Sequence, residues 1–297
     1  MALNGLNETA VIWSAECRRT LRSARVVVLL GLYSMFSMLV LLVVGGITKA
    51  LREQLDAQLA QAGADAAAGV QVAEEMQKGF LGFLVGGDQA MAEALGQVPL
   101  VVLVVFKVTL FFLPLYVAIM GFDQVSGEVG PRSIRYLTVR ARRSSLLLGK
   151  FLSQATVLLG LVLVIDLAIF VYAAFTTPDF SPVAFALNLL KFWLAAVVFS
   201  LAYLALTTFC SSLFRSPALS LIFNIFLLFG FWLVNLVGSL ASEGNPVSYM
   251  RYLSPSHYAN NLLHPRLAEF AVSGAAYAAF AVLFLGASLF VLRARDL

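Results

Sequence analysis

Long apolar runs alternate with short polar stretches along most of the chain. Six of these runs reach the length of about 20 residues that a helix needs to cross the ~30 Å hydrocarbon layer of a membrane. They cover residues 26–47, 99–120, 147–175, 183–209, 218–240 and 271–292. The pattern therefore predicts an all-α, polytopic membrane protein with six transmembrane helices in a single transmembrane domain (1–297).

Three further segments are amphipathic or interrupted rather than continuously apolar. Residues 8–25 combine apolar side chains with four arginines, a pattern typical of an elbow helix that lies in the headgroup layer. Residues 48–98 scatter charges among many alanines, with leucines at helical spacing, and predict a helical extracytoplasmic insert made of short helices. Residues 241–270 contain three prolines and predict short re-entrant helices before the last span.

The composition supports a membrane protein. Of the 297 residues, 61% are hydrophobic and 12% are charged, and the mean hydropathy is +0.90. A soluble domain of this composition would expose extensive apolar surface to water. The net charge of +4 does not indicate nucleic acid binding, because the arginines flank apolar runs instead of forming a basic domain with aromatic stacking platforms. Cys17 and Cys210 are too few and too far apart for a disulfide framework, so we expect reduced thiols.

The distribution of basic residues predicts the orientation. Thirteen of the 20 lysines and arginines lie in the N-terminal segment, in the loops after the second and fourth spans, at the C-terminus or, for Lys150, at the entrance of the third span. Five lie in the longer loops on the other side of the predicted membrane, and two, Lys107 and Lys191, lie deeper within spans. Because positive charge is retained on the cytoplasmic side, both termini are expected to be cytoplasmic.

Familiar catalytic motifs do not account for any part of the chain. Gly149 and Lys150 do not complete a P-loop, because Phe151 stands where a hydroxyl residue is needed and no upstream glycine has the right spacing. His257 and His264 lack the HExxH pattern, and no serine lies in GxSxG. We therefore predict no catalytic residues, no metal ligands and no enzyme activity in this chain.

Charged and amide side chains within the predicted spans are candidate functional groups, because they are costly in lipid. Lys107, Asp166 and Lys191 all fall in the outer half of the membrane. Either Asp166 pairs with one lysine and locks neighbouring helices together, or the three line the polar wall of a substrate path. Asn224 and Asn235 lie about three helical turns apart on one face, where they would form interhelical hydrogen bonds or line a pathway.

The most strongly charged segment between two spans is residues 121–146, called the charged loop below. Asp123 and Glu128 come first in this loop, and arginines follow them. The basic residues of this region are Arg132, Arg135, Arg140, Arg142, Arg143 and, just inside the third span, Lys150. Two interpretations are open: an ordinary loop obeying the positive-inside rule, or a docking element for a partner.

The charged loop and the order of the spans resemble those of the permease subunits of ABC-2 type exporters. The residues that carry the local resemblance are Asp123, Ser126, Gly127, Glu128, Gly130, Leu137, Arg143, Gly149 and Lys150. Pro131 departs from the small residue pair common in the family, and residues 138–141 lack the proline often found after the coupling helix. The resemblance covers nearly the whole chain, including the elbow helix and the broken segment before the last span.

The resemblance implies a permease that forms an export path with a second, identical or related permease chain in the bacterial inner membrane. It further implies that two separate ATPase subunits hold ATP and Mg, and that this chain binds no cofactor. The implied ATPase-coupling residues are Asp123, Glu128, Arg132, Ile134, Arg135, Leu137 and Arg143. Within that set, Ile134 and Leu137 would supply apolar contact with the ATPase, and the arginines would pair with its acidic groups.

Two alternative functions follow from other features of the sequence. The first is an ion-coupled secondary transporter that uses Lys107, Asp166 and Lys191, although no internal repeat supports it. The second is a non-transporting membrane scaffold that holds an extracytoplasmic partner through residues 49–97.

Overall fold

The computed structural model describes residues 5–62, 100–130, 134–176, 181–241, 245–264 and 266–295, together with positions 79, 82, 91 and 95. All regular structure among these residues is helical. The α-helices are α1 (Gly5–Leu21), α2 (Ala24–Ala62), α3 (Leu100–Gly121), α4 (Ser126–Val129), α5 (Ile134–Arg140), α6 (Arg143–Thr176), α7 (Pro182–Leu213), α8 (Pro217–Leu240) and α9 (Leu267–Ala294). Three short 3₁₀ helices, η1 (Pro246–Leu253), η2 (Pro255–Tyr258) and η3 (Asn260–Leu263), precede α9.

Six of the described helices, α2, α3, α6, α7, α8 and α9, are long and apolar enough to cross a membrane. The prediction of six spans is therefore confirmed. Six crossings return the chain to the side on which it started. We call this the terminal side, because it carries both ends of the bundle and the charged loop, and we call the opposite side, which carries η1 to η3, the far side.

Helix α7 lies at the centre of the bundle and packs against α3, α6, α8 and α9. Small side chains make this position possible: Ala195, Ala196, Ala202 and Ala205 are all buried. Inside lipid there is no strong hydrophobic force between helices, so their association depends on van der Waals packing, which small residues improve by letting the backbones approach closely. By contrast, α8 presents most of its apolar side chains outward, as a helix at the lipid boundary does.

The elbow helix α1 lies against α6, and none of its residues is fully buried. A short turn at Arg22 and Ser23 separates it from α2. The Trp13 indole N–H donates to the Thr156 hydroxyl at 3.0 Å, which joins the middle of α1 to the third span.

Helix α2 extends well beyond the first predicted span. The part long and apolar enough to span is Ala24–Val43, but the helix continues without a break to Ala62. The leucines at helical spacing after residue 48 therefore continue the first span instead of forming a separate short helix. Lys49 and Glu53, 3.9 Å apart and one turn apart, are placed to support this extension. Most of the remaining insert, from residue 63 to 99, lies outside the described residues.

The far-side segment before α9 consists of short helices, in keeping with its prolines. Pro246 and Pro255 occupy first-turn positions, where the missing N–H costs nothing. The Ser254 hydroxyl donates to the Phe231 carbonyl at 2.8 Å, and the Tyr277 hydroxyl donates to the Pro255 carbonyl at 2.7 Å. These two bonds fasten the segment to α8 and to α9.

Candidate functional site

The first part of the charged loop is held against the terminal-side end of α7. The backbone N–H groups of Val125 and Ser126 both donate to the Ser211 hydroxyl, at 3.0 and 3.1 Å. The Gln124 amide donates to the Thr208 hydroxyl nearby. Because these groups are buried, the bonds satisfy backbone and side-chain donors that would otherwise be costly.

Two glycines permit this close fit. A Cβ atom at Gly121 would lie 2.8 Å from the Thr207 side chain, and one at Gly130 would lie 2.9 Å from the Arg215 carbonyl oxygen. Any side chain at position 130 would therefore displace backbone rather than a flexible group. Gly121 and Gly130 thus serve the attachment of the charged loop to α7 and to the turn that follows α7.

Four charged side chains, Glu16, Arg19, Glu128 and Lys150, form what we call the charge cluster. The Lys150 ammonium lies 2.7 Å from a carboxylate oxygen of Glu128 and 2.7 Å from one of Glu16. Arg19 donates to the same Glu128 oxygen at 3.3 Å. Lys150 is 3% exposed and Glu128 is 8% exposed. The cluster therefore joins α1, α4 and α6 through largely buried ion pairs.

Close contact with the elbow helix explains why a glycine, Gly149, precedes Lys150. A Cβ atom at this position would lie 2.7 Å from the Ile12 Cγ2 atom and 3.2 Å from the Thr9 carbonyl oxygen. The elbow helix can therefore approach α6 only because position 149 lacks a side chain. The Gly149 and Lys150 pair, which does not form a P-loop, is where α1 docks on the third span.

Asp123 makes a second ion pair with the entrance to α2. Its carboxylate lies 2.6 Å from the Arg25 guanidinium, which also lies over the Phe122 ring at 5.2 Å from the centroid. The charged loop is thus tied to the first span as well as to the elbow helix.

Arg143 ties the charged loop to the last span. Its guanidinium donates to the carbonyl oxygens of Leu292 at 2.6 Å, Arg293 at 3.0 Å and Arg295 at 3.3 Å. These carbonyls belong to the C-terminal end of α9, where unpaired acceptors and the negative end of the helix dipole favour a cation. Arg295 in turn donates to the Leu213 carbonyl at the end of α7. Ties to the charged loop and its flanks therefore reach the elbow helix α1 and four of the six spans, α2, α6, α7 and α9.

The structure corrects the expectation for Ile134. Its side chain is 1% exposed and packs in a small core with Val125, Val129, Leu146, Leu147 and Leu292. It therefore holds α5 against the bundle and has no surface left for apolar contact with a partner. On the outer face of α5, Tyr136 is 79% exposed and Val139 is 85% exposed. Arg132 and the side chains of Arg135 and Leu137 lie outside the described part of the chain.

The intramembrane charges do not form the pair that one interpretation predicted. Lys107 donates to the Asn260 side chain in η3 at 2.7 Å, and Lys191 is exposed on α7. Asp166 borders a small cavity together with Phe106 and Phe192. Over the described residues, Asp166 makes no ion pair with either lysine, because Lys107 reaches an amide of the far-side segment instead. The lock between Asp166 and a lysine, one of the two interpretations, is therefore not observed among the described residues.

The two asparagines of α8 differ in their surroundings. Asn224 is fully buried and its amide donates to the Thr207 hydroxyl of α7 at 2.8 Å. Asn235, three turns later, is half-buried. Of the two roles considered for these residues, interhelical hydrogen bonding is observed for Asn224.

Sequence reasoning missed the contributions of the elbow helix. Glu16, Arg19 and Arg25 were treated as part of an interfacial helix, yet all three contact the charged loop or its neighbour Lys150. A signal was present, because Glu16 is an acidic residue in a segment otherwise dominated by arginines. Such a residue is costly near anionic headgroups unless it has a cationic partner.

The fold and this site together define a multi-pass α-helical membrane protein in which one charged loop is tied to most of the spans, as expected of a transport subunit. The chain belongs to the ABC-2 family: the family model described as "ABC-2 family transporter protein" matches residues 10–297. It is thus a permease of an ABC transporter, and the members of this family are membrane transport subunits that are generally not catalytic. No curated protein matched the chain in a direct comparison.

Proposed function

We propose that this permease forms, with a second permease chain, the path of an ATP-driven exporter, and that two separate ATPase subunits act on it through the charged loop. In this proposal ATP and Mg bind to the ATPase subunits. The terminal side faces the cytoplasm of a bacterial cell, which agrees with the excess of lysines and arginines there. Family membership supports an association with an ATPase and a partner permease in general.

The observation that carries the proposal is the exposed apolar pair on α5. Tyr136 and Val139 are three residues apart, so they lie on one face of the helix, and both are largely exposed. The helix belongs to a loop beyond the membrane-crossing helices, where lipid would not cover these side chains. A short helix that presents such a face fits an apolar groove on a partner protein. Ile134 and its neighbours secure the opposite face of the helix to the bundle.

The ion pairs around the loop suggest how movement at α5 would reach the spans. The charge cluster ties the loop to α1 and α6, Asp123 ties it to α2, and Arg143 ties it to α9. Interfaces of this kind tend to move as rigid units between discrete arrangements. The coupling role expected of Asp123, Glu128 and Arg143 is thus a transmitting role within this chain, while Tyr136 and Val139 form the contact with the ATPase.

Removal of the apolar pair tests this proposal. The chain is affinity-purified from its native membrane as wild type and as the Tyr136→Ala, Val139→Ala double variant, and co-purified chains are identified by mass spectrometry. We expect an ATPase subunit with the wild type and at least a tenfold loss with the double variant. Tyr249→Ala is the matched control, since Tyr249 is 67% exposed but lies on the far side. Equal recovery of the ATPase with all three proteins would remove α5 from the contact.

A second measurement separates export from the alternatives. Reconstituted with the recovered ATPase, the wild-type permease should change the ATPase rate, whereas the double variant should not. A chain that works as a scaffold or as an ion-coupled transporter would leave the ATPase rate unchanged in both cases.

A further inference from the structure

A cluster of polar and aromatic side chains lies on the far side, away from the charged loop. The Arg251 guanidinium in η1 lies over the Tyr252 ring, 5.1 Å from its centroid, and one of its nitrogens donates to the Tyr252 hydroxyl at 3.2 Å. The His257 ring contacts the same Tyr252 ring edge to face, with centroids 4.8 Å apart. Tyr252 is thus in contact with a cation and an imidazole. We call Arg251, Tyr252 and His257 the far-side basic cluster.

The position of Arg251 is fixed by close contact with α8. A Cβ atom at Gly238 would lie 2.7 Å from the Arg251 backbone nitrogen and 3.1 Å from its Cα atom. Only a glycine at position 238 allows this approach. The bond from Ser254 to the Phe231 carbonyl holds the next turn of the segment in place. The backbone that carries the guanidinium is therefore fixed in position.

The depth of the cluster follows from the length of α8. From Pro217 to Gly238 the helix rises roughly 32 Å at 1.5 Å per residue, close to the thickness of the hydrocarbon layer. Arg251, packed on Gly238, therefore lies near the level of the headgroups on the far side. Phosphate groups of lipids are concentrated at this level.

The cluster carries positive charge that the described residues do not balance. No carboxylate of the described residues lies within ion-pair distance of Arg251 or His257, and the Arg251 Nε atom is buried without a hydrogen-bond partner among them. Burial, and then the charge of Arg251, lower the pKa of His257. The positive charge of the guanidinium thus disfavours protonation of the imidazole. A fixed guanidinium at headgroup depth, with no carboxylate partner among the described residues, is suited to an anion with several oxygens.

We propose that Arg251 and Tyr252 bind the phosphate of an anionic phospholipid in the far-side leaflet. The lipid source is favoured over free phosphate by the depth of the cluster, which lies at the level of the lipid headgroups on a helix, α8, that presents most of its apolar side chains outward. A headgroup without an amine fits better than phosphatidylethanolamine, because the described part of the site offers no carboxylate to receive an ammonium group. This inference concerns lipid binding and does not depend on ATP-driven export.

The test measures lipid binding to the full chain by native mass spectrometry, with phosphatidylglycerol or phosphatidylethanolamine added at matched concentrations. We expect the wild type to retain one more phosphatidylglycerol than Arg251→Gln, with at least a tenfold weaker affinity in the variant. Arg266→Gln is the matched control, since Arg266 is an exposed arginine on the same side. Tyr252→Phe keeps the ring and removes only the hydroxyl, and it should weaken binding severalfold even if Arg251→Gln fails to fold.

Three results would overturn the proposal. The first is an affinity of Arg251→Gln for phosphatidylglycerol that lies within twofold of the wild type. If Arg251→Gln does not fold, the same result in Tyr252→Phe would overturn it. Another is equal loss in Arg251→Gln and Arg266→Gln, which would indicate a diffuse surface charge effect. The third is displacement of the lipid by inorganic phosphate at the same concentration, which would assign the site to a free anion. Equal retention of phosphatidylethanolamine would refute the proposed headgroup preference.

Discussion

Replacement of Lys150 by methionine removes the cation that Glu16 and Glu128 share, while it keeps most of the side-chain volume. At an effective dielectric constant of 20, unit charges at the observed 2.7 Å attract each other by roughly 6 kcal/mol. Desolvation of the buried groups offsets much of this energy. Loss of one partner is nevertheless costly, about 3–5 kcal/mol, because it leaves buried carboxylates uncompensated.

Arg19 reduces the expected cost. It already lies 3.3 Å from Glu128 and 3.9 Å from Glu16, but its side chain is 71% exposed, so solvent screens its contribution. We therefore expect Lys150→Met to lower the free energy of unfolding by about 3 kcal/mol, the lower end of that range. This is roughly a hundredfold change in the unfolding equilibrium. The measurement is reversible denaturant unfolding of the purified chain in detergent.

Lys49→Met is the matched control for this experiment. Lys49 also pairs with a glutamate, Glu53, but the two atoms are 3.9 Å apart and the lysine side chain is 80% exposed. Its loss should cost less than about 0.5 kcal/mol. Equal stability of the two variants would refute the idea that the charge cluster joins α1 to α6. A Lys150→Met, Glu128→Gln double variant whose effects simply add would show that these two side chains do not interact.

Three further predictions concern other contacts of the bundle. Gly149→Ala should destabilise the chain by about 1–3 kcal/mol in the same denaturation assay, because the new methyl group collides with α1. Gly160 lies on the same helix with open space around it, so Gly160→Ala should be neutral or stabilising. Asn224→Leu removes the buried bond to Thr207 and should cost about 0.6–2 kcal/mol, whereas unchanged stability would show that the bond is dispensable. The folded-state pKa of His257 lies below its ordinary value of 6.5. Its contribution to the free energy of unfolding is therefore fully present above pH 6.5 and is lost as the pH falls through the folded-state pKa. Thermal midpoints measured from neutral to mildly acidic pH should fall more steeply for the wild type than for His257→Asn, and parallel curves would contradict this assignment.

The spans could be predicted because each depends on a local property of the chain. An apolar run of about 20 residues has few alternatives to a membrane-crossing helix. Prolines also mark two of the starts, since α7 begins at Pro182 and α8 begins at Pro217. The boundary at which the structure differs most from the prediction is the end of α2. The polar residues after the first span did not stop the helix.

The charge cluster could not be predicted, because its partners are distant in sequence. Glu16 and Lys150 are separated by 134 positions, and no local pattern joins them. The sequence showed only that both occur near the same side of the membrane. Which acid meets which base depends on the packing of α1 against α6, and that packing depends on the absence of a side chain at Gly149.

Periodicity on α5 was informative but ambiguous. Ile134 and Leu137 are three residues apart, and so are Tyr136 and Val139, so the helix has two apolar faces of equal spacing. The sequence does not say which face packs inward. Tertiary contact with Val125 and Leu146 assigns Ile134 to the bundle, and the exposed face is the other one. An aromatic residue on the outer face was the available hint, because tyrosine is enriched at protein interfaces.

The continuous helix α2 gives the bundle a long arm on the far side. Its 39 residues correspond to a rod of roughly 58 Å, of which about 30 Å crosses the hydrocarbon layer and about 28 Å projects beyond it. The base of this rod is anchored to the charged loop by the pair of Arg25 and Asp123. A tilt of about 5° about this base would move the distal end by roughly 5 Å. The helix therefore works geometrically as a lever, and a small rotation near the charged loop becomes a displacement of atomic size at Ala62.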